Sequence, residues 1–204
     1  MRPTEILTSE HRVIEQVLVV LDRMADDAFS KAALDVASAR DAIAFLRGFA
    51  DQCHHGKEEA RLFPAMERCG IPRDAGPTAV MRHEHEIGRA HVRRMDQAVG
   101  DFEKGVPGAA DRFAFEARGF VEMLRDHIAK EDQVLFPMAD RMLSPAAQIE
   151  LASEFDHVER HEVGPGTRER FEAVAQSLAG RFGITPEAVR ACSHVCGCSQ
   201  APQG

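Results

Sequence analysis

The chain has 204 residues and a formal net charge of −8, with 25 Lys and Arg against 33 Asp and Glu; an acidic chain argues against a general nucleic-acid binder, which needs a basic face. Charged residues at 28% and hydrophobic residues at 44% describe a globular protein rather than a disordered one. No apolar run approaches the roughly 20 residues that span a bilayer, Met1 to His11 turns charged at once and carries no secretory core, so the cytoplasm is the expected location, and the absence of Trp and Tyr excludes a tyrosyl radical or a tyrosine ligand.

Apolar residues recur with a period of 3.6 up to about Leu143. Leu7, His11, Ile14, Leu18, Leu21 and Ala25 form one stripe of a first helix, expected from about Thr4 to Ala28. A second helix is expected from about Ala33 to Cys69, with Pro64 in its last turns and Gly70, Ile71 and Pro72 ending it. Gly76 and Pro77 open a third, since proline suits a first helical turn; its stripe is Met81, His85, Gly88, Val92, Met95 and Val99. After a loop at Gly105 to Gly108, a fourth helix carries Phe113, Ala117, Phe120, Leu124, His127, Glu131, Leu135, Met138 and Met142 on one face. No period-two alternation predicts a strand. Ser144 and Pro145 read as the N-cap and first residue of a fifth helix, which breaks at Gly164, Pro165 and Gly166. A sixth segment reaches about Phe182, Thr185 and Pro186 start a short last helix, and a Gly/Ser/Pro tail follows.

The first four helices contain a repeat. The stretch from His54 to Pro64, with Lys57, Glu58, Leu62 and Phe63, matches His127 to Pro137, with Lys130, Glu131, Leu135 and Phe136. Glu10 and His11 likewise match Glu84 and His85. Helix one thus resembles helix three, and helix two resembles helix four. Short connections make sequential helices antiparallel, so the expected fold is all-α: an up-down-up-down four-helix bundle over residues 1–143, with a C-terminal helical extension and cysteine-rich tail over 144–204.

Polar residues interrupt the apolar stripes. His11, His85 and His127 stand where Leu or Ile would serve, and Glu58 and Glu131 lie four residues after His54 and His127, on the same helix face. Four imidazoles and two carboxylates therefore meet in one interior. Two unpaired buried carboxylates are very costly. A pair of divalent ions, bridged by the carboxylates and capped by the imidazoles, removes that cost and leaves positions for an exogenous ligand. Such nitrogen and oxygen donors suit Fe, Mn or Zn better than Mg or Ca. Buried His–Glu hydrogen bonding without metal would account for one such pair, but not for two symmetric pairs with two further histidines.

With His11, His54-x-x-x-Glu58, Glu84-His85 and His127-x-x-x-Glu131, and Leu-Phe-Pro after both carboxylates, the chain resembles the hemerythrin-like family with its His-His-Glu cation-binding domain, over about Leu7 to Leu143. The resemblance implies a four-helix bundle around two non-heme iron ions that bind or react with O2, NO or peroxide. It leaves a diiron peroxidase-like or NO-related enzyme, an iron store or sensor whose extension contacts a protein partner, and an iron–sulfur-repair-type protein as open alternatives. Oxygen carriers of the family have a further histidine where Met81 stands, so the site reads as poorer in histidine and more open than theirs. Their last carboxylate is an Asp at the position of Asp132; the internal repeat favours Glu131.

Other residues carry weaker signals. His55 has no counterpart in the repeat, since Ile128 stands in its place, and it reads as a rim residue. Glu10 and Glu84 read as ordinary exposed charges, with pairing to Lys57 and Lys130 or orientation of a histidine as the alternative. Phe63 and Phe136 are expected under the site, and Cys53 as a small buried residue. His157 and His161 fit a solvated helix better than a second metal site. Cys192, His194, Cys196 and Cys198 are too tightly spaced to close easily on one ion; a redox-active tail and an inert one are both open.

Overall fold

The structure, a computed structural model, describes residues 1–193, with side chains up to residue 189. Its elements in chain order are α1 (Pro3–Lys31), α2 (Val36–Phe45), π1 (Leu46–His55), π2 (Glu58–Leu62), α3 (Phe63–Arg68), α4 (Pro77–Glu103), α5 (Ala109–Lys130), π3 (Glu131–Leu135), α6 (Phe136–Met142), α7 (Pro145–His157), π4 (Val158–Val163), α8 (Thr167–Arg181) and α9 (Pro186–Ser193). The described residues contain no strand. None of the described helices is long and apolar enough to cross a membrane. The side chain of Cys192, together with His194, Cys196 and Cys198, lies outside the described residues.

Four long rods make the bundle. The first is α1, the second runs without a break from α2 through π1 and π2 to α3, the third is α4, and the fourth runs from α5 through π3 to α6. The second and fourth rods change winding at matching places. Proline at 64 or 137 has no N–H to give the carbonyl four residues back, and its ring crowds that carbonyl. The turn before it widens instead: Phe63 N–H reaches the carbonyl of Glu58, and Phe136 N–H that of Glu131, each five residues back. The repeated Leu-Phe-Pro thus places a wide π turn at each repeated glutamate.

Apolar side chains pack in two clusters. The larger one holds Ile14, Leu18, Leu21, Phe45, Phe49, Met95, Phe113 and Leu124. The smaller one holds Leu7, Leu62, Phe63, Met66, Met81, Leu135 and Phe136. The polar residues of the stripes lie in the layer between them.

The extension packs on the bundle rather than standing away from it. Leu151 and Phe155 of α7 belong to the smaller cluster, and Phe171, Ala175 and Leu178 of α8 to the larger. Gly164 and Gly166, both with positive φ, turn the chain between π4 and α8. Where α8 meets π1 the approach is close: a Cβ on Gly48 would lie 2.0 Å from Cζ of Phe171. Only glycine at 48 leaves that ring its seat.

Candidate metal centre

Each rod contributes to the polar layer. α1 carries His11, π1 carries His54 and His55, π2 begins at Glu58, α4 carries His85, α5 carries His127, and π3 begins at Glu131. All seven side chains are buried; His55 is 7% exposed and the others at most 1%. Ligand-capable atoms of His11, His54, Glu58 and Glu131 lie within 4.8 Å of one another, and so do those of His55, Glu58, His85 and His127. Glu58 belongs to both groups. Its Oε1 faces His54 Nε2 at 3.7 Å, and its Oε2 faces His85 Nε2 at 3.4 Å. Oε2 of Glu131 lies 3.3 Å from Nε2 of both His11 and His127. Each carboxylate therefore touches imidazoles from two rods.

A second ring of carboxylates surrounds the first. His11 Nδ1 donates to Asp132 at 2.9 Å, His54 Nδ1 to Glu10 at 2.9 Å, His85 Nδ1 to Glu59 at 2.6 Å and His127 Nδ1 to Glu84 at 2.9 Å. These bonds assign the tautomers, leaving each Nε2 with a bare lone pair that points inward. The pattern follows the repeat: the residue before a stripe histidine holds the histidine of the next rod, and the residue after a buried glutamate holds the stripe histidine. Cations complete the ring. Arg12 binds Asp132, Lys57 binds Glu10, Lys130 binds Glu84, and Arg89 Nη2 lies 2.9 Å from Glu59. Phe136 stacks on His11 at 5.4 Å and Phe63 on His85 at 5.9 Å, closing the floor.

The inner ring is short of a cation. All four carboxylate oxygens of Glu58 and Glu131 are buried without a hydrogen-bond partner. His11 and His54 bring their Nε2 atoms to 3.0 Å, and His85 and His127 to 3.2 Å. With every Nδ1–H committed outward, each contact sets lone pair against lone pair. Protons or metal ions must fill that role, and the donor set of imidazole and carboxylate suits divalent iron, manganese or zinc. The titration of the metal-free pocket tells the same story. Burial and the charge of Glu131 push Glu58 far above the usual carboxylate range. Burial opposes protonation of His11, yet Asp132 and Glu131 hold it up to about 9. His54 and His85 are depressed, first by burial and then by neighbouring imidazoles. The chain on its own keeps protons where a cation fits.

The structure brings His11, His54, Glu58, His85, His127 and Glu131 into one pocket. It corrects two other expectations. His55 is no rim residue: its ring stacks on His85 at 3.8 Å and it joins the second group, so five imidazoles line a site read as poor in histidine. The repeat agrees with this placement: Ile128, at the matching position in α5, is buried beside His127. Glu10 and Glu84 are not ordinary exposed charges, since each holds a site histidine and a lysine. Asp132 lies outside the inner ring, on His11 Nδ1, Thr8 and Arg12.

Two further groupings are charge-compensated or solvated. Glu10, Cys53 and Glu159 come within metal-binding distance of one another, but Lys57 and Arg168 already neutralise both carboxylates. Burial pushes the Cys53 thiol up to about 11, so it stays protonated. His157 and His161 are exposed, their rings 4.6 Å apart.

The Hemerythrin HHE cation binding domain family matches residues 2–139, and the chain belongs to that family. Uncharacterized proteins of Mycobacterium tuberculosis and Mycobacterium bovis are each 27% identical over 180 residues, covering 86% of this chain and 67% of theirs. The iron–sulfur cluster repair protein DnrN of Neisseria gonorrhoeae is 36% identical over 86 residues, covering 41% of this chain and 54% of its own. No solved structure matches the chain.

Proposed function

We propose that this hemerythrin HHE protein holds two iron ions in the layer between its two apolar clusters and binds or reacts there with O2, NO or peroxide. The observation that carries the reading is the pair of wholly buried glutamates, four oxygens without partners, faced by inward-pointing imidazole nitrogens. His11 and His54 would hold one ion, His55, His85 and His127 the other, with Glu58 and Glu131 shared. Iron there supplies the electrons that a diatomic or a peroxide accepts or shares.

The protein's own part is orientation and exclusion. Asp132, Glu10, Glu59 and Glu84 hold the four imidazoles in one tautomer, so loading demands no rearrangement of the rings. Phe63 and Phe136 keep bulk water from the floor.

A second reading, iron–sulfur cluster repair, has one observation in its favour: the 36% identity over 86 residues with the gonococcal repair protein. One experiment separates the readings. Protein purified from iron-replete cells is assayed for iron, reduced without oxygen, and titrated with O2, NO and H2O2 while spectra are taken. Two ions per chain and a reversible oxygenated spectrum identify a carrier; turnover of peroxide or NO identifies an enzyme. Reactivation of a damaged iron–sulfur enzyme by the loaded protein identifies repair. One ion or none refutes the diiron reading.

A further inference from the structure

We propose that a narrow cavity between π1 and α4 is the port through which small ligands reach the centre, and that it admits molecules of two or three heavy atoms, uncharged or singly negative. The proposal rests on the metal reading above and adds the route and the size limit. Of the seven inner side chains, His55 is the most exposed, at 7% against at most 1% for the others, and His55 lines this cavity. Its buried Nδ1 faces Asp51 at 3.5 Å, a longer contact than the 2.6–2.9 Å bonds that hold the other four imidazoles. The His55 side is thus where the ring of carboxylate partners is loosest.

The cavity is about 140 Å³. That volume holds a few waters or one small molecule, and excludes a substrate of drug size, which needs roughly 300 Å³ or more. Ala50, Val92 and Phe120 form its apolar walls. Gly88 keeps α4 thin there, since a Cβ at 88 would already lie 3.1 Å from Cε of Met123 and 3.5 Å from Phe120. An apolar throat of this width costs a diatomic almost nothing in desolvation but rejects bulkier or multiply charged species.

Arg47, Arg89 and Arg93 line the mouth together with Asp51. Arg47 pairs with Asp96, and Arg89 with Asp51, Glu59 and Glu86. Arg93 is exposed and has no charged partner among the described residues. Arg89 ties π1 to α4 across the opening and, through Glu59, abuts the bond that holds His85. The charge of Arg93 draws a small anion to the mouth in a salt-dependent way.

The test uses azide and the iron-loaded full chain, with iron counted first in every sample. Ala50→Leu adds bulk to the wall; Arg93→Glu reverses one exposed charge and leaves packing alone. With both ions retained, Ala50→Leu should slow azide association and dissociation alike by about tenfold or more, leaving the equilibrium constant within about twofold, since a narrowed route alters rates without altering the bound state. Arg93→Glu should slow association about threefold at low salt, and the difference should vanish in high salt. Wild-type rates in a loaded Ala50→Leu protein overturn the port. If that variant does not fold, wild-type rates for Arg93→Glu at low salt overturn it. A wild-type chain without iron refutes the metal reading instead, so the two failures are distinguishable.

Discussion

Glu131 and Asp132 are chain neighbours with opposite duties. Glu131 is buried with both oxygens unpartnered among imidazoles, whereas Asp132 is bound by His11 Nδ1, Thr8 and Arg12. Glu131→Gln should therefore lose bound metal, while Asp132→Asn should keep two ions with affinity lowered by about 10–100-fold, the usual effect of losing a carboxylate behind a histidine ligand. Metal titration of both variants checks this; loss of metal from Asp132→Asn alone reverses the assignment. The repeat made this choice legible, because Glu131 stands at the spacing of Glu58. His55 was missed because its repeat partner, Ile128, offers no donor atom, although that side chain is buried too and marks the position as interior. His11 carries a pH prediction. In the metal-free fold its pKa rises from 6.5 to about 9, so its stabilising contribution is complete below pH 6.5 and is lost as pH rises through 9. Glu58, also shifted upward, acts with the same sign. His54, His55 and His85, shifted downward, act with the opposite sign near pH 6.5 and below, so the window that isolates His11 lies above it: metal-free protein should lose on the order of 2 kcal/mol between about pH 7.5 and pH 9.5. Urea unfolding at those two pH values would measure it; equal midpoints contradict the assignment of the proton to His11.

The helices themselves were readable from their stripes and proline punctuation, and so was the two-fold repeat. Their winding was readable only in part. Pro64 and Pro137 were visible, but the wide turns they impose depend on Phe63 and Phe136 finding carbonyls five residues back. The docking of the extension was hidden for a different reason: Gly48 looks like a weak point in a helix until Phe171 is placed on it. Gly48→Ala should push α8 outward and cost about 1–3 kcal/mol, the scale of an overpacked core. For a chain of this size that lowers Tm by roughly 2–4 °C per kcal/mol. Metal content should be unchanged, since Gly48 contacts α8 rather than the polar layer. Calorimetry with a parallel iron assay decides; a Tm equal to wild type means the α8 seat has room that the structure denies.

At the scale of the whole molecule, a nearly symmetric centre sits in an asymmetric protein. The repeat makes Lys57 and Lys130 equivalent: each binds the glutamate that holds a site histidine, Glu10 for His54 and Glu84 for His127. The extension removes the equivalence. Phe155 lies under the Lys57 ammonium, and Glu159 and Arg168 reach over Glu10, so Lys57 is wholly buried while the Lys130 side chain is 43% exposed. A buried ion pair broken on one side leaves an uncompensated charge and costs roughly 3–5 kcal/mol, whereas an exposed pair contributes at most about 1 kcal/mol. Lys57→Met should therefore destabilise the protein by several kcal/mol, and Lys130→Met by less than about 1 kcal/mol. The difference should also reach the centre. Glu10, deprived of Lys57, becomes a poorer-neutralised partner for His54, so metal affinity should fall further in Lys57→Met than in Lys130→Met. Denaturant unfolding of the metal-free variants and competitive metal titration of both measure the two effects separately. Equal costs in the two variants would mean that the extension covers the His54 side without acting on it.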